Sequence, residues 1–166
     1  MLVGHSYAGT VVSEAGVDPK VSSLVYVAAR APDAGEDFVA LSAKYPTMPV
    51  RAGTEEHDGY VTLKQDALLK YFAGDVPRDK AMALFAVQQP IAKTLFGERT
   101  TAAAWHRKPS WYAVSSLDQT INPDLERFLA KRMGATTIEL PSNHLSLVSH
   151  SKEIADPILE ASGRQP

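Results

Sequence analysis

The chain begins with Leu2-Val3-Gly4-His5-Ser6-Tyr7-Ala8-Gly9, a short apolar run that leads into a serine flanked by small residues and then into a helical pattern. Such a run demands a tight strand-to-helix turn, a nucleophile elbow. The serine backbone is strained there, and a Cβ on the flanking glycines would press on the crossing of strand and helix. Ser6 is therefore expected at the carboxyl end of a strand, its hydroxyl at a helix start where unpaired N–H groups and the dipole favour a developing anion. The pattern departs from Gly-x-Ser-x-Gly, because Ala8 stands two residues after the serine and the glycine follows at Gly9. On these residues alone, a serine in an ordinary strand-to-helix turn is the competing reading.

A serine hydroxyl becomes a useful nucleophile only when a base takes its proton and a third group orients that base, so a carboxylate and then a histidine are expected downstream. Ser110-Trp111-Tyr112-Ala113-Val114-Ser115 reads as a buried strand, and Asp118 lies in the loop after it. Thr136-Thr137-Ile138-Glu139-Leu140 reads as another, followed by Pro141-Ser142-Asn143-His144. In a parallel sheet the loops holding Ser6, Asp118 and His144 open on one edge, where ligands bind in α/β folds. His5 is expected to be a buried or supporting residue that points away from the serine. His57, His106 and His150 lie in polar or helix-start positions and are expected in solvent. Asp124, after Asn122-Pro123, reads as a first-turn carboxylate facing a helix dipole, which leaves Asp118 as the acid.

The rest of the pattern is that of one α/β domain spanning 1–166. Val11, Val12 and Ala15 form a helical stripe that stops at Gly16, and Ser23 to Ala28 is a continuous apolar run, as in a parallel strand covered on both faces. Asn122 can cap a helix with Pro123 at its first position, an inward stripe of Leu125, Phe128, Leu129 and Met133, and Gly134 at its end. A last helix, from about Ser151 to Ala161, is expected to bury Ile154, Ile158 and Leu159. Residues 34–104 break the alternation of strand and helix and read as a helical cap insert over the serine. Its apolar stripes are Phe38, Leu41 and Tyr45, then Leu63, Ala67, Leu68 and Tyr71, then Met82, Phe85 and Ala86. Most of these aromatics are expected to pack the cap onto the sheet and the rest to line an acyl pocket.

With 45% hydrophobic residues and a net charge of -2, the chain can bury a core and has no basic surplus for binding nucleic acid. No apolar stretch approaches the ~20 residues that span a bilayer, so no membrane partner is expected. The absence of cysteine excludes disulfides and thiolate metal sites, and the chemistry needs neither a metal nor an organic cofactor. Nothing resembles a secretory signal, and a cytoplasmic location is the expectation.

These residues resemble the α/β-hydrolase superfamily, and within it the small capped esterases similar to plant methylesterases and hydroxynitrile lyases. The resemblance rests on Leu2-Val3-Gly4-His5-Ser6, Leu24-Val25-Tyr26-Val27-Ala28-Ala29, Leu117-Asp118-Gln119-Thr120-Ile121 and Ser142-Asn143-His144-Leu145-Ser146-Leu147. It implies the C-terminal part of an α/β-hydrolase fold, a parallel sheet with flanking helices and a helical cap. It further implies Ser6 as nucleophile, His144 as base and then acid, and Asp118 as the group orienting the histidine. The Tyr7 N–H would donate to the oxyanion, and a small-molecule ester would pass through an acyl-enzyme. The cyanogenic lyases of the plant group carry lysine directly after the histidine, where this chain has Leu145; that favours ester hydrolysis over lyase chemistry.

Members of this family run through several strands and helices before the elbow, and an early loop supplies a second oxyanion donor. Here the elbow strand comes first. The expectation is a fragment of a longer protein, or a chain whose open strand edge is covered by a partner, with a homodimer as one form of that cover. A truncated, non-catalytic remnant acting as a binding module is therefore the alternative to a working hydrolase, with hydroxynitrile-lyase-like activity as a further one.

Overall fold

The computed structural model describes residues 1–164. Four parallel strands, β1 (Leu2–His5), β2 (Leu24–Val27), β6 (Ser110–Ser115) and β7 (Thr136–Leu140), form the main sheet in the order β1-β2-β6-β7. The register pairs Val3 with Val25, Val25 with Trp111, and Trp111 with Thr136. Residues alternate faces along a strand, and β2 is apolar on both. Leu24 and Tyr26 pack with Tyr112 and Val114 under α1 (Ala8–Ala15) and α5 (Pro123–Met133). Val25 and Val27 turn the other way and pack with Ala113 and with Ile154 and Ala161 of α7 (Ser151–Ala161). Each such apolar side chain removed from water contributes about 1.5–3 kcal/mol, which makes β2 the centre of the fold.

The helix faces differ in detail from the periodicity. In α1 the buried positions are Gly9, Val12 and Ser13, whereas Val11 is exposed. Gly16 is there for close approach: its φ is -64°, and a Cβ would stand 2.7 Å from both Ala104 Cβ and Leu24 Cδ2. In α5 the Asn122 side chain accepts from the Asp124 N–H at 2.9 Å and Gly134 ends the helix at φ 61°. The buried face of α5 is Leu125, Glu126, Leu129, Ala130 and Met133, with Phe128 exposed. In α7, Pro157 joins Ile154 and Ala161 inside, and Ile158 and Leu159 are only half-buried.

Residues 34–104 hold the short helices α2 (Phe38–Ser42), α3 (Gln65–Ala67) and α4 (Arg78–Ala86), with a π-helical turn at Leu68–Phe72. They also hold an antiparallel sheet the sequence reading did not anticipate: β3 (Thr54–His57), β4 (Tyr60–Leu63) and β5 (Ile91–Ala92). Its hairpin turns on Asp58 and Gly59, both at positive φ (50° and 80°), the Asp-Gly pair a two-residue hairpin loop favours. The segment is joined to the main sheet's loops by an apolar cluster of Leu68, Ala73, Val76 and Ala81 around Leu145. Arg132 of α5 anchors its start, donating to both Glu36 carboxylate oxygens and to the Ala31 carbonyl.

Candidate active site

β1 ends at His5, and Ser6 takes φ 54°, a left-handed conformation that costs an ordinary residue roughly 1–2 kcal/mol. Backbone hydrogen bonds hold it there. The Ser6 N–H donates to the Val27 carbonyl at 3.2 Å, and its own carbonyl accepts from the N–H groups of Gly9 at 3.2 Å and Arg30 at 3.0 Å. These bonds explain why glycine stands at Gly4 and Gly9. A Cβ at Gly4 would lie 2.8 Å from the Ala8 carbonyl oxygen, and one at Gly9 would lie 2.0 Å from the Arg30 carbonyl oxygen. Ala8 faces solvent, so the turn has room for its methyl group. The Tyr7 N–H, at the entrance to α1, has no backbone acceptor among the described residues.

Asp118 and His144 come together as their positions after β6 and β7 suggest. His144 Nδ1 lies 2.5 Å from Asp118 Oδ2, and both side chains are fully removed from solvent. The other Asp118 oxygen, Oδ1, accepts from the N–H groups of Thr120 at 2.6 Å and Ile121 at 3.1 Å. Burial works to raise the pKa of Asp118. The charge and hydrogen bond of His144, with bonds from Glu126 and the Thr120 N–H, outweigh it and hold the carboxyl below the usual carboxylate range. With Nδ1–H donating to a carboxylate, Nε2 carries the free lone pair that a general base requires. His144 Nε2 is buried and has no hydrogen-bond partner among the described residues, Ser6 included.

Two rings hold the His144 imidazole, that of His5 with centroids 4.6 Å away and that of Phe72 at 4.7 Å. The sequence placed His5 in a supporting role, and it packs on His144 while its Nε2–H donates to the His144 carbonyl at 2.8 Å. Burial, together with the nearby His144, pushes the His5 pKa from 6.5 down to about 3. The folded chain thus keeps His5 neutral where the unfolded chain binds a proton, so stability falls as pH drops from about 6.5 towards 3. Urea titrations across that range are expected to show this slope and to show it reduced in His5→Gln; an unchanged slope in the variant would refute the assignment.

The remaining candidates lie elsewhere. His57 is exposed in β3, His106 stacks on Trp105 and pairs with Asp33 at 2.9 Å, and His150 contacts Ser149 Oγ at 3.0 Å. Asp124 is in the first turn of α5, bonded to Arg127. Sequence reasoning missed several neighbours of the site. Phe72 is carried in by the π-helical turn, and Asp75 Oδ2 accepts from the Asn143 N–H at 3.0 Å and the Ser149 hydroxyl at 2.8 Å, tying the insert to the histidine loop. The Arg30 guanidinium lies against the rings of Tyr7, Phe38 and Phe96. Glu126, the one carboxylate on the inward face of α5, lies behind Asp118; its spacing from Leu129, Ala130 and Met133 was the signal that could have placed it inside.

No curated protein matches the sequence. Among solved structures, polyneuridine aldehyde esterase is similar over 97% of this chain and 71% of its own, at 16% identity and a TM-score of 0.76. A pyrethroid hydrolase from Sphingobium faniae is similar over 96% and 68%, at 19% identity and a TM-score of 0.78. A methylesterase from Arabidopsis is similar over 98% and 68%, at 20% identity and a TM-score of 0.76. At these identities the likeness establishes the fold. A family model described as the alpha/beta hydrolase family matches residues 1–156. Because that match runs from the elbow strand into the last helix, the chain belongs to the alpha/beta hydrolase family.

Proposed function

We propose that the chain is a serine hydrolase of carboxylic esters, with Ser6 as nucleophile, His144 as general base and then acid, and Asp118 as the residue that orients the histidine. The observation that carries this reading is the buried His144–Asp118 pair, whose Nδ1–H bond at 2.5 Å leaves Nε2 as a free base at the sheet edge where the strained Ser6 stands. In acylation, Ser6 Oγ bonds to the ester carbonyl carbon as its proton passes to His144 Nε2. The tetrahedral oxyanion is met by the Tyr7 N–H, and the alcohol leaves with the proton from His144. Water, deprotonated by the same nitrogen, then attacks the acyl-Ser6 ester and releases the acid.

Similarity to an esterase, a methylesterase and a pyrethroid hydrolase supports the ester class without naming the substrate. Leu145, the residue after His144, is buried in the apolar cluster beneath the insert, in keeping with hydrolysis and not cyanide chemistry. An active-site-directed fluorophosphonate tests the reading. It is expected to modify one residue, Ser6, at a rate slowed by p-nitrophenyl butyrate. Modification at another residue, or equal labelling of the urea-unfolded chain, would contradict it.

A further inference from the structure

Glu126 is wholly buried in α5, where its Oε2 accepts from the Ser115 N–H at 3.0 Å, and the N–H of the equally buried site carboxylate Asp118 donates to the carbonyl of the same Ser115 at 3.1 Å, so the two acids share the end of β6. Two carboxylates in contact away from water cannot both keep their charge, so one of them holds a proton. The donors around each decide which. Asp118 accepts three hydrogen bonds, from His144 Nδ1 and from the N–H groups of Thr120 and Ile121. Among the described residues Glu126 accepts one, from the Ser115 N–H to Oε2 at 3.0 Å, and its buried Oε1 has no hydrogen-bond partner.

Among the described residues, the other polar groups near Glu126 are engaged elsewhere, and the Arg127 charge offsets the burial only in part. From β6, the Tyr112 hydroxyl donates to the Ala29 carbonyl at 2.5 Å and accepts the Ala29 N–H at 3.1 Å. On its own helix, the Arg127 guanidinium is exposed and engaged with Asp124 and Glu139. His144 lies beyond Asp118 and already donates to it.

We infer that Glu126 is a positioning residue of the site, a neutral carboxylic acid whose Oε1–H donates to Asp118 and so fixes the carboxylate that orients His144. The deduction rests on the proposed triad for its functional meaning, while the location of the proton is a property of the fold. Burial and the Asp118 charge both hold that proton in place, raising the Glu126 pKa well above the usual carboxyl range. Glutamine is the conservative replacement: its amide can donate to Asp118 and its carbonyl can accept from the Ser115 N–H. Leucine can do neither.

The experiment labels the full chain with ¹³C at the glutamate carboxyl carbons and assigns Glu126 by the signal lost in Glu126→Gln. The expected result is a Glu126 carbon that keeps the shift of a neutral acid through pH 7, while the exposed glutamates titrate in the ordinary acid range. A Glu126 signal that titrates with them overturns the inference, whether or not the chain turns over an ester. The positioning role is read from the downfield Nδ1–H proton of His144, which is expected to move in Glu126→Leu and to return in Glu126→Gln. An unmoved proton in a folded Glu126→Leu chain overturns that role; if the leucine chain does not fold, a Glu126→Gln proton displaced from the wild-type position overturns it instead. Where ester turnover is measurable, Glu126→Leu is expected to lose roughly ten- to a hundredfold in kcat, the worth of a hydrogen bond to a charged group, and Glu126→Gln to recover most of it. Absence of turnover in all three chains with the neutral-acid signal present would count against the catalytic reading and leave the Glu126 proton established.

Discussion

Replacing Ser6 with alanine is expected to cost ester hydrolysis on the order of 10⁶-fold in kcat, the loss where a serine triad operates in full. The hydroxyl is the atom that bonds the acyl group, and no neighbouring side chain can take its place. The fold should survive the change. Ser6 is tied to β2 and α1 through its backbone, by the bonds to Val27, Gly9 and Arg30, and alanine keeps all three. Steady-state rates with p-nitrophenyl butyrate, beside a thermal melt of each chain, check this. A variant as active as the parent, with the same melt, would move the nucleophile elsewhere.

Replacing Asp118 with asparagine is the second large effect, with kcat expected to fall about 10⁴-fold. The asparagine oxygen can still accept from the N–H groups of Thr120 and Ile121, which places its amide nitrogen against His144 Nδ1. Two donors cannot face each other, so the imidazole proton moves to Nε2. His144 then has no lone pair for the Ser6 proton. The pH profile separates this from simple damage: the lost rate should return in part at high pH, where Ser6 depends less on a base. A fall of less than tenfold would show that Asp118 holds the loop without setting the tautomer.

The three residues of this account could be read from the sequence because each follows a run of apolar residues that has to be a buried strand, and parallel strands deliver their following loops to one edge. Ser6 carried extra information in its flanking glycines, and the structure shows why the second falls at Gly9: that is where α1 meets the Arg30 carbonyl. Phe72 and Asp75 were not readable in this way. Phe72 reaches His144 from a π-helical turn and Asp75 reaches the neighbouring Asn143 and Ser149 from a loop, and no periodicity reports which distant loop such a segment meets. Glu126 was hidden for a different reason: hydropathy assigns a glutamate to water, and Phe128 was placed inside although it is the exposed residue. The β3–β4 hairpin did carry its signal, Asp58-Gly59 between alternating residues, but the apolar spacing of Leu63, Ala67 and Leu68 drew the segment towards a helix.

If Ser6 carries the acyl group, quenching the chain in acid during turnover of p-nitrophenyl butyrate and weighing the intact protein and its peptides will find it there. The expected result is one butyryl group per chain at most, found on the peptide that contains Ser6 and absent from Ser6→Ala. Release of p-nitrophenol with no protein-bound butyryl group, or with the group on another residue, would contradict it.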